Sequence, residues 1–492
     1  MANNNNNNNN KNNKVVVMFP FMAQGHIIPF FSLALYLEQK TKLKIIFINT
    51  PLNIKNLKQS LPPNSTITLT SLPFNSSHHN LPADSENTDS LPYSLILNLL
   101  KASLSLKQPF HDFISQLPTP PLCIVADMFF GWTADVAQQF GTLHTLFLTC
   151  GAYGSALYFS LWLHLPQCHT SDDEFAVPEF PEAAKIHRSQ LANNLKYATG
   201  DDGWSKVIHE ELMPLWMKTQ GMLINTVEEI DQTGLVYFRR KFGDQVPIWS
   251  VVPTMLNKEQ QRPNKKSGID VNKCIDWLNN KSTSSVLFVS FGSQNTIGSS
   301  QMIELAHGIE SSGRDFIWVV RPPFGFDINQ EFRSQDWLPR GFEERMAEQN
   351  RGVLVHNWAP QLEILSHKST CAFLSHCGWN SVLESLSRGV PIIGWPMAGE
   401  QFYNSKLMEE ELVVCVEIGR GPNWDVSRGD IARAIETVMG GGEKGEAMRK
   451  KACEIKEMFK ESIRDEDGCK GSCVRAIDDF VDTLLDSKNK AT

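Results

Sequence analysis

The sequence predicts an α/β protein made of two tandem, doubly wound, Rossmann-like domains. Three observations lead there. From residue 15 onward, short apolar runs alternate with segments of helical periodicity, the pattern of βαβ units and parallel sheets. The alternation is interrupted by a polar stretch with two prolines and several lysines, Pro253 to Asp270, and then restarts. A chain of 492 residues is long enough for two or more domains.

Taken in order, Val15 to Phe19 reads as a buried strand and Pro20 to His26 as a loop ending in Gln-Gly-His. Ile27 to Gln39 carries helical periodicity, and Lys44 to Asn49 is a second strand. Leu61 to Pro92, rich in Ser, Asn and Pro, reads as a long loop region, and Leu95 to Leu117 as one helix. Leu122 to Ala126 is a strand ending at Asp127, Trp132 to Phe140 a helix and His144 to Leu148 a strand. Residues 166 to 203 are irregular, as binding loops often are. Met222 to Asn225, a helix to about Phe242, and Ile248 to Val252 complete the first domain. Beyond the polar stretch come strand Val286 to Phe291 with Gly292-Ser293 at its end, helix 300–312, and strands 315–320 and 353–356. Strand 413–418 and helices over 427–439, 444–463 and 468–486 finish the chain. The expected organisation is a disordered Asn-rich tail over 1–13, a first domain over 14–252, a linker over 253–271, a second domain over 272–475 and a final helix over 476–492.

Composition narrows the function. Hydrophobic residues make up 41% and charged residues 20%, ordinary for a soluble globular enzyme. The net charge of −8 argues against a nucleic-acid partner. No run reaches the roughly 18 apolar residues that a membrane span needs. The ten cysteines include no C-x-x-C pair or zinc-like cluster, and Cys469 and Cys473, four apart on the expected last helix, could hold a metal only with further ligands. Free thiols and the lack of a secretory apolar core lead to the expectation of a cytoplasmic protein, and a monomer is expected.

One stretch concentrates polar residues at structural joints. Residues 358 to 401 read WAPQLEILSHKSTCAFLSHCGWNSVLESLSRGVPIIGWPMAGEQ. A Trp-Ala-Pro turn leads into a short helix, Leu362 to His367, and a buried strand, Cys371 to Leu374. His376, Cys377 and Gly378 make a turn, a helix opens near Asn380 and closes at Gly389, and Val390 to Trp395 is a further strand. Ligands of parallel sheets sit outside the carboxyl ends of the strands. His376, Gly378, Asn380 and Ser381 fall at one such end, and Gly399, Glu400 and Gln401 at the next. The helix opening near Asn380 offers free N–H groups and a positive dipole end to an anion. Ser381-x-x-Glu384 equally matches a plain capping box. Two tryptophans in turn positions, Trp358 and Trp379, either plug a core or face a flat aromatic ligand bearing phosphates.

This stretch closely resembles the signature box of the plant family 1 UDP-dependent glycosyltransferases, in its length, its Trp-Ala-Pro-Gln start, its His-Cys-Gly-Trp-Asn-Ser centre and its Glu-Gln end. The resemblance spans the chain beyond its first dozen residues. It implies the GT-B fold, two such domains with the active site in the cleft between them and the last helix crossing back onto the first. It further implies that Trp358 stacks on uracil, that Gln361 lies near the uracil and ribose, and that Glu384 holds the ribose hydroxyls. His376, Asn380 and Ser381 would bind the diphosphate, Glu400 and Gln401 the sugar. Trp379 and Gln401 go with glucose in the family, so the implied donor is UDP-glucose, a co-substrate, with no cofactor.

Transfer of a sugar to a hydroxyl needs a base for the acceptor proton and stabilisation of the departing diphosphate. His26 lies just past the first strand and Asp127 just past a later one, so parallel strands would deliver both to one edge. A carboxylate behind a histidine fixes its tautomer and steadies the imidazolium. The two residues are also common structural pieces, and the resemblance, with a base histidine after Gln-Gly and an Asp roughly a hundred residues on, is what makes them catalytic candidates. Ser293 fits a turn serine, and by the resemblance a phosphate contact. Asp172-Asp173-Glu174 and Asp465-Glu466-Asp467 read as solvated charge rather than metal ligands, and no metal is expected. The acceptor is expected to be a small apolar alcohol, phenolic (flavonoid) or terpenoid, facing Phe21, Phe129, Phe130, Tyr153 and Trp204, residues that fit a core equally well. An epimerase or phosphorylase would share the fold but leave the 358–401 box unexplained. A dehydrogenase lacks its G-x-G-x-x-G, and a non-catalytic sugar-nucleotide sensor would be expected to lose His26 or Asp127.

Overall fold

Strands rich in Val, Ile, Leu and Phe, buried on both faces, set the architecture, as parallel sheets covered by helices require. The protein is seen here as a computed structural model describing residues 14–256, 268–466 and 468–486. The expected tail over 1–13, the 257–267 part of the expected linker and the last six residues of the expected final helix lie outside the described residues.

The strands come in chain order as β1 (Val15–Phe19), β2 (Lys44–Asn49), β3 (Thr68–Ser71), β4 (Cys123–Asp127) and β5 (Leu143–Leu148). A small antiparallel pair follows, β6 (Glu174–Phe175) and β7 (Ile186–His187), then β8 (Gly221–Asn225) and β9 (Ile248–Val251). The later strands are β10 (Val286–Ser290), β11 (Asp315–Val320), β12 (Gly352–His356), β13 (Thr370–Ser375), β14 (Ile392–Gly394) and β15 (Cys415–Glu417). A hairpin of β16 (Asp465–Glu466) and β17 (Cys469–Lys470) precedes the last helix.

Two parallel sheets result. The first runs β3-β2-β1-β4-β5-β8-β9 and the second β12-β11-β10-β13-β14-β15. Strand order reverses between β1 and β4 in the first, and between β10 and β13 in the second. These switch points open a crevice at the carboxyl ends of the strands. His26 and Asp127 follow β1 and end β4. Ser293 and His376 follow β10 and β13.

Several elements differ from the sequence reading. The loop expected over Leu61 to Pro92 contains β3, a four-residue, half-exposed strand paired in parallel with β2, too short to leave a periodic signal. The single helix expected over Leu95 to Leu117 is two, Ile96–Ser103 and Lys107–Ser115, with Pro109 in the first turn of the second. Proline has no N–H to donate and is tolerated there. A helix over Ala152–His164 lies in a stretch that carries almost no amphipathic period. The expected last helix begins at Ser472, and Cys469 sits in the hairpin before it, after a left-handed Gly468 (φ +82°). Cys469 and Cys473 therefore share no helix face. No described helix is long and apolar enough to cross a membrane.

The chain divides into two compact units. The first takes residues up to Ala152, resumes at Ala198 and resumes again at Ser462. The second takes Tyr153–Tyr197 and the chain up to Glu461. The sequence reading ended the first domain at 252 and set the final helix apart from 476; in the structure Tyr153–Tyr197 groups with the later residues and the return to the first unit begins at Ser462. Packing, not local pattern, makes the assignment: Tyr158 meets Tyr403 at 6.5 Å between ring centroids, and Arg420 donates to Ser189. In the first unit the last helix covers β9, with Ile477, Phe480 and Leu484 fully buried. Phe480 packs edge-on against Trp249 at 5.1 Å, and Trp249 Nε1 donates to Asp479 Oδ2 at 2.7 Å. Phe480→Ala should destabilise this unit by about 3–5 kcal/mol, the usual cost of deleting a buried aromatic. Thermal and urea unfolding should show an earlier transition, with Phe480→Leu intermediate, whereas an unchanged transition would mean the helix does not anchor the sheet.

Candidate active site

In the first unit, β1 and β4 pair in parallel with Phe19 opposite Ala126, so the residues after each emerge side by side. His26 lies in the first turn of the Gln24–Lys40 helix, and Asp127 is the last residue of β4. His26 Nδ1 lies 2.8 Å from Asp127 Oδ2. The Asp127 side chain is fully buried, and that of His26 is 15% exposed. Asp127 accepts from Phe21 N–H on Oδ2 and from Phe129 N–H on Oδ1, each at 3.1 Å. A carboxylate only accepts, so the His26 proton belongs on Nδ1 and the lone pair is left on Nε2. Thr149 Oγ1, one residue beyond β5, is 3.1 Å from the same Nδ1, and Asn225 at the end of β8 donates to the Thr149 carbonyl at 2.9 Å. The adjacent ends of β1, β4 and β5 thus converge on one imidazole, and the end of β8 holds the Thr149 backbone behind it.

Of the five aromatics expected to face an acceptor, the structure brings Phe21 and Phe129 to His26, with ring centroids 5.8 and 5.5 Å from the imidazole. Phe130 is core: it is fully buried against Phe19 (4.3 Å) and Trp132 (5.6 Å). Tyr153 falls in the second unit, buried against Phe180 at 5.9 Å. Trp204 sits half-buried on the short helix Gly203–Lys206, its backbone N–H held by Asp202 Oδ1.

In the second unit, the His376 imidazole is wedged between two glycines. A Cβ at Gly292 would come within 2.6 Å of the ring, and one at Gly378 within 2.4 Å of Nε2. Gly292 also takes φ +77°, and Cys377 a left-handed φ of +62°. Burial pushes the His376 pKa down to about 4 against a smaller opposing pull from the Ser290 backbone. At neutral pH it is therefore an uncharged ring with one N–H donor.

The helix after this turn starts earlier than expected. It spans Trp379–Leu386 with Gly378 as its N-cap and no side-chain cap. The expected Ser381–Glu384 capping box does not form, because both residues lie inside the helix. Gln361 Nε2 donates instead to Ser381 Oγ (3.1 Å) and Glu384 Oε2 (2.7 Å). The cap brings no side-chain acceptor to the first-turn amides, including those of Trp379, Asn380 and Ser381, which favours an anion. Trp379 is the first residue of the helix rather than a turn residue, and its side chain is buried, 3% exposed. Trp358 is half-buried, and its carbonyl accepts from Gly268 N–H at 2.8 Å.

At the next strand end, Gln401 Oε1 accepts from the Met397 and Ala398 N–H groups, both at 3.0 Å, which leaves its amide NH₂ as the group that can serve a ligand. Glu400, half-buried, is the N-cap of the Gln401–Lys406 helix. Asn404 on that helix, fully buried, donates to the Cys377 carbonyl at 3.0 Å and so holds the His376-Cys377-Gly378 turn. Arg321, just past β11, donates to the carbonyls of Ser293 and Asn357. Thr149, Arg321 and Asn404 escaped the sequence reading. The available signal was position alone: Thr149 and Arg321 are first residues beyond a strand, and Asn404 lies one turn beyond Gln401. Among the described residues, no group of three His, Cys, Asp or Glu side chains is placed to hold a metal.

His376 sets a pH dependence. Its folded pKa of about 4 lies below the ordinary 6.5, so its contribution to stability is fully present above pH 6.5. As pH falls from 6.5 toward 4, the unfolded chain takes up a proton that the fold refuses, and stability drops by at most about 1.4 kcal/mol per pH unit. Buried His144, pushed down to about 3 by burial, acts in the same sense. Melting temperature should therefore fall between pH 6.5 and 5, and less steeply in His376→Asn. Equal slopes in the two proteins would contradict the assigned burial.

Known proteins resemble this chain over most of its length. Residues 204–453 match the UDP-glucoronosyl and UDP-glucosyl transferase family. The chain is 47% identical over 483 residues to UDP-glycosyltransferase 92A1 of Arabidopsis thaliana, covering 96% of this chain and 97% of the relative. It is 48% identical over 408 residues to crocetin glucosyltransferase 3 of Crocus sativus, covering 80% and 84%. Medicago truncatula UGT71G1, solved in complex with UDP-glucose, superposes with a TM-score of 0.78 at 25% identity, over 96% of this chain and 98% of that one. The chain belongs to the plant family 1 UDP-dependent glycosyltransferases and is a UDP-glycosyltransferase with the GT-B fold.

Proposed function

We propose that the enzyme transfers glucose from UDP-glucose to a hydroxyl of a small apolar acceptor, phenolic or terpenoid, with inversion at the anomeric carbon and without a metal. The observation that carries this reading is the His26–Asp127 pair, at 2.8 Å, with both carboxylate oxygens held by backbone amides. Nε2 of His26 takes the acceptor hydroxyl proton as the oxygen attacks the anomeric carbon. The new C–O bond forms as the bond to the diphosphate breaks, and UDP leaves with the electron pair from the opposite face, which inverts the centre. Asp127 steadies the imidazolium that results. Phe21 and Phe129 beside His26 offer an apolar wall to the acceptor.

The donor roles rest on the second unit. Trp358 would stack on uracil, Gln361 would lie near the uracil and ribose, and Glu384, oriented by Gln361, would take the ribose hydroxyls. Ser293, Asn380, Ser381 and the neutral His376 would meet the diphosphate. The amides of the Trp379–Leu386 helix and one His376 N–H can take up the developing charge, and this is the reason for a metal-independent reading. Gln401, with its carbonyl already bonded, presents N–H donors to sugar hydroxyls, while anionic Glu400 accepts from them and repels a uronate. Competition among UDP-sugars should favour UDP-glucose, and faster turnover with UDP-glucuronate would overturn that choice.

His26→Ala should lower turnover by about 10²–10⁴-fold, the usual contribution of a general base. UDP affinity should stay within about twofold, because the proposed nucleotide contacts all come from the second unit. Asp127→Asn should slow turnover in the same direction by releasing the ring. Steady-state rates with an alcohol acceptor, beside UDP calorimetry, measure both, and near wild-type turnover in His26→Ala would mean another base.

A further inference from the structure

Between the two halves of the proposed nucleotide site lies a residue with no role so far. β11 is the strand between β10 and β12, and Arg321 is the first residue beyond it. The loop after β10 carries Ser293. The loop after β12 carries Asn357 and then Trp358. The half-buried Arg321 guanidinium reaches both: Nη1 donates to the Ser293 carbonyl, and Nη2 to the Asn357 carbonyl at 3.2 Å. Asn357 holds a left-handed φ of +68°, a conformation that asparagine reaches more readily than most residues other than glycine and that local restraints hold in place. The bond to its carbonyl is one such restraint, and the next residue is the Trp358 platform.

We infer that Arg321 is a positioning residue that sets the spacing between the base platform at Trp358 and the phosphate loop at Ser293. This rests on the reading of the second unit as a UDP-sugar site. The planar guanidinium suits the task because two of its N–H groups point along fixed, separate directions. A lysine ammonium, a point charge on a flexible stem, keeps the positive charge but cannot hold two carbonyls at a set distance. A ligand that uses both ends of the site depends on that spacing, whereas a ligand that uses the base end alone does not. UDP is of the first kind and uridine of the second.

The test is Arg321→Lys in the full-length enzyme, with calorimetry against UDP and uridine, steady-state kinetics with UDP-glucose, and thermal melting. UDP affinity should fall about tenfold, the scale of losing charge-assisted hydrogen bonds, and the KM for UDP-glucose should rise with it. Uridine affinity and kcat at saturating donor should each stay within about threefold. Should the lysine variant not fold, Arg321→Gln keeps a single donor nitrogen, which cannot span both carbonyls, and makes the same comparison. A merely structural arginine would lower the melting temperature and weaken uridine and UDP equally, and that outcome overturns the inference. So does a folded variant that binds UDP like the wild type. A wild-type enzyme that binds neither UDP nor UDP-glucose would instead overturn the reading of the site, and the inference with it.

Discussion

A carboxylate taken out of water needs donors for its oxygens. Asp127, fully buried at the end of β4, has three, and each comes from a different piece of chain. Phe21 N–H comes from the loop after β1, the His26 imidazole from the helix that follows that loop, and Phe129 N–H from the turn after β4. The first unit's site depends on this one group. The parallel pairing of β1 with β4 brings the pieces together, and the carboxylate then fixes the loop, the turn and the histidine tautomer in one arrangement. Thr149 and Asn225 extend the same polar cluster to the ends of β5 and β8.

The second unit solves a similar problem with glycines and amides. His376 is held by shape: Gly292 and Gly378 leave room for the ring and nothing larger. Burial keeps it neutral, so it can donate a hydrogen bond to a diphosphate without carrying a charge of its own. Gln361 aligns Glu384 from a neighbouring helix, and Asn404 pins the left-handed turn at Cys377. Each contact lies at a carboxyl-end joint of the sheet, where the reversal of strand order leaves space for a ligand.

Much of this was legible in the sequence, for identifiable reasons. Strand-helix alternation reports parallel sheets because each strand is buried on both faces, and the 358–401 box is long enough for its resemblance to carry the family. What escaped depends on contacts far apart in sequence. β3 is short and half-exposed, so it has no apolar run to see. Ser381-x-x-Glu384 has capping-box spacing, yet the cap falls on Gly378 because its extended backbone starts the helix sooner. Phe130 and Phe129 look alike in sequence, and only the turn after β4 sends one into the core and the other to His26. The grouping of Tyr153–Tyr197 with the later residues follows from packing that no local pattern records.

The central claim is that His26 removes the acceptor proton. The most direct measurement compares wild type with His26→Ala across a series of acceptor hydroxyls of graded acidity. If His26 is the base, the rate lost on its removal should shrink steadily as the acceptor becomes more acidic and needs less help to deprotonate. A loss that stays constant across the series would contradict the account and leave His26 a role in binding or structure alone.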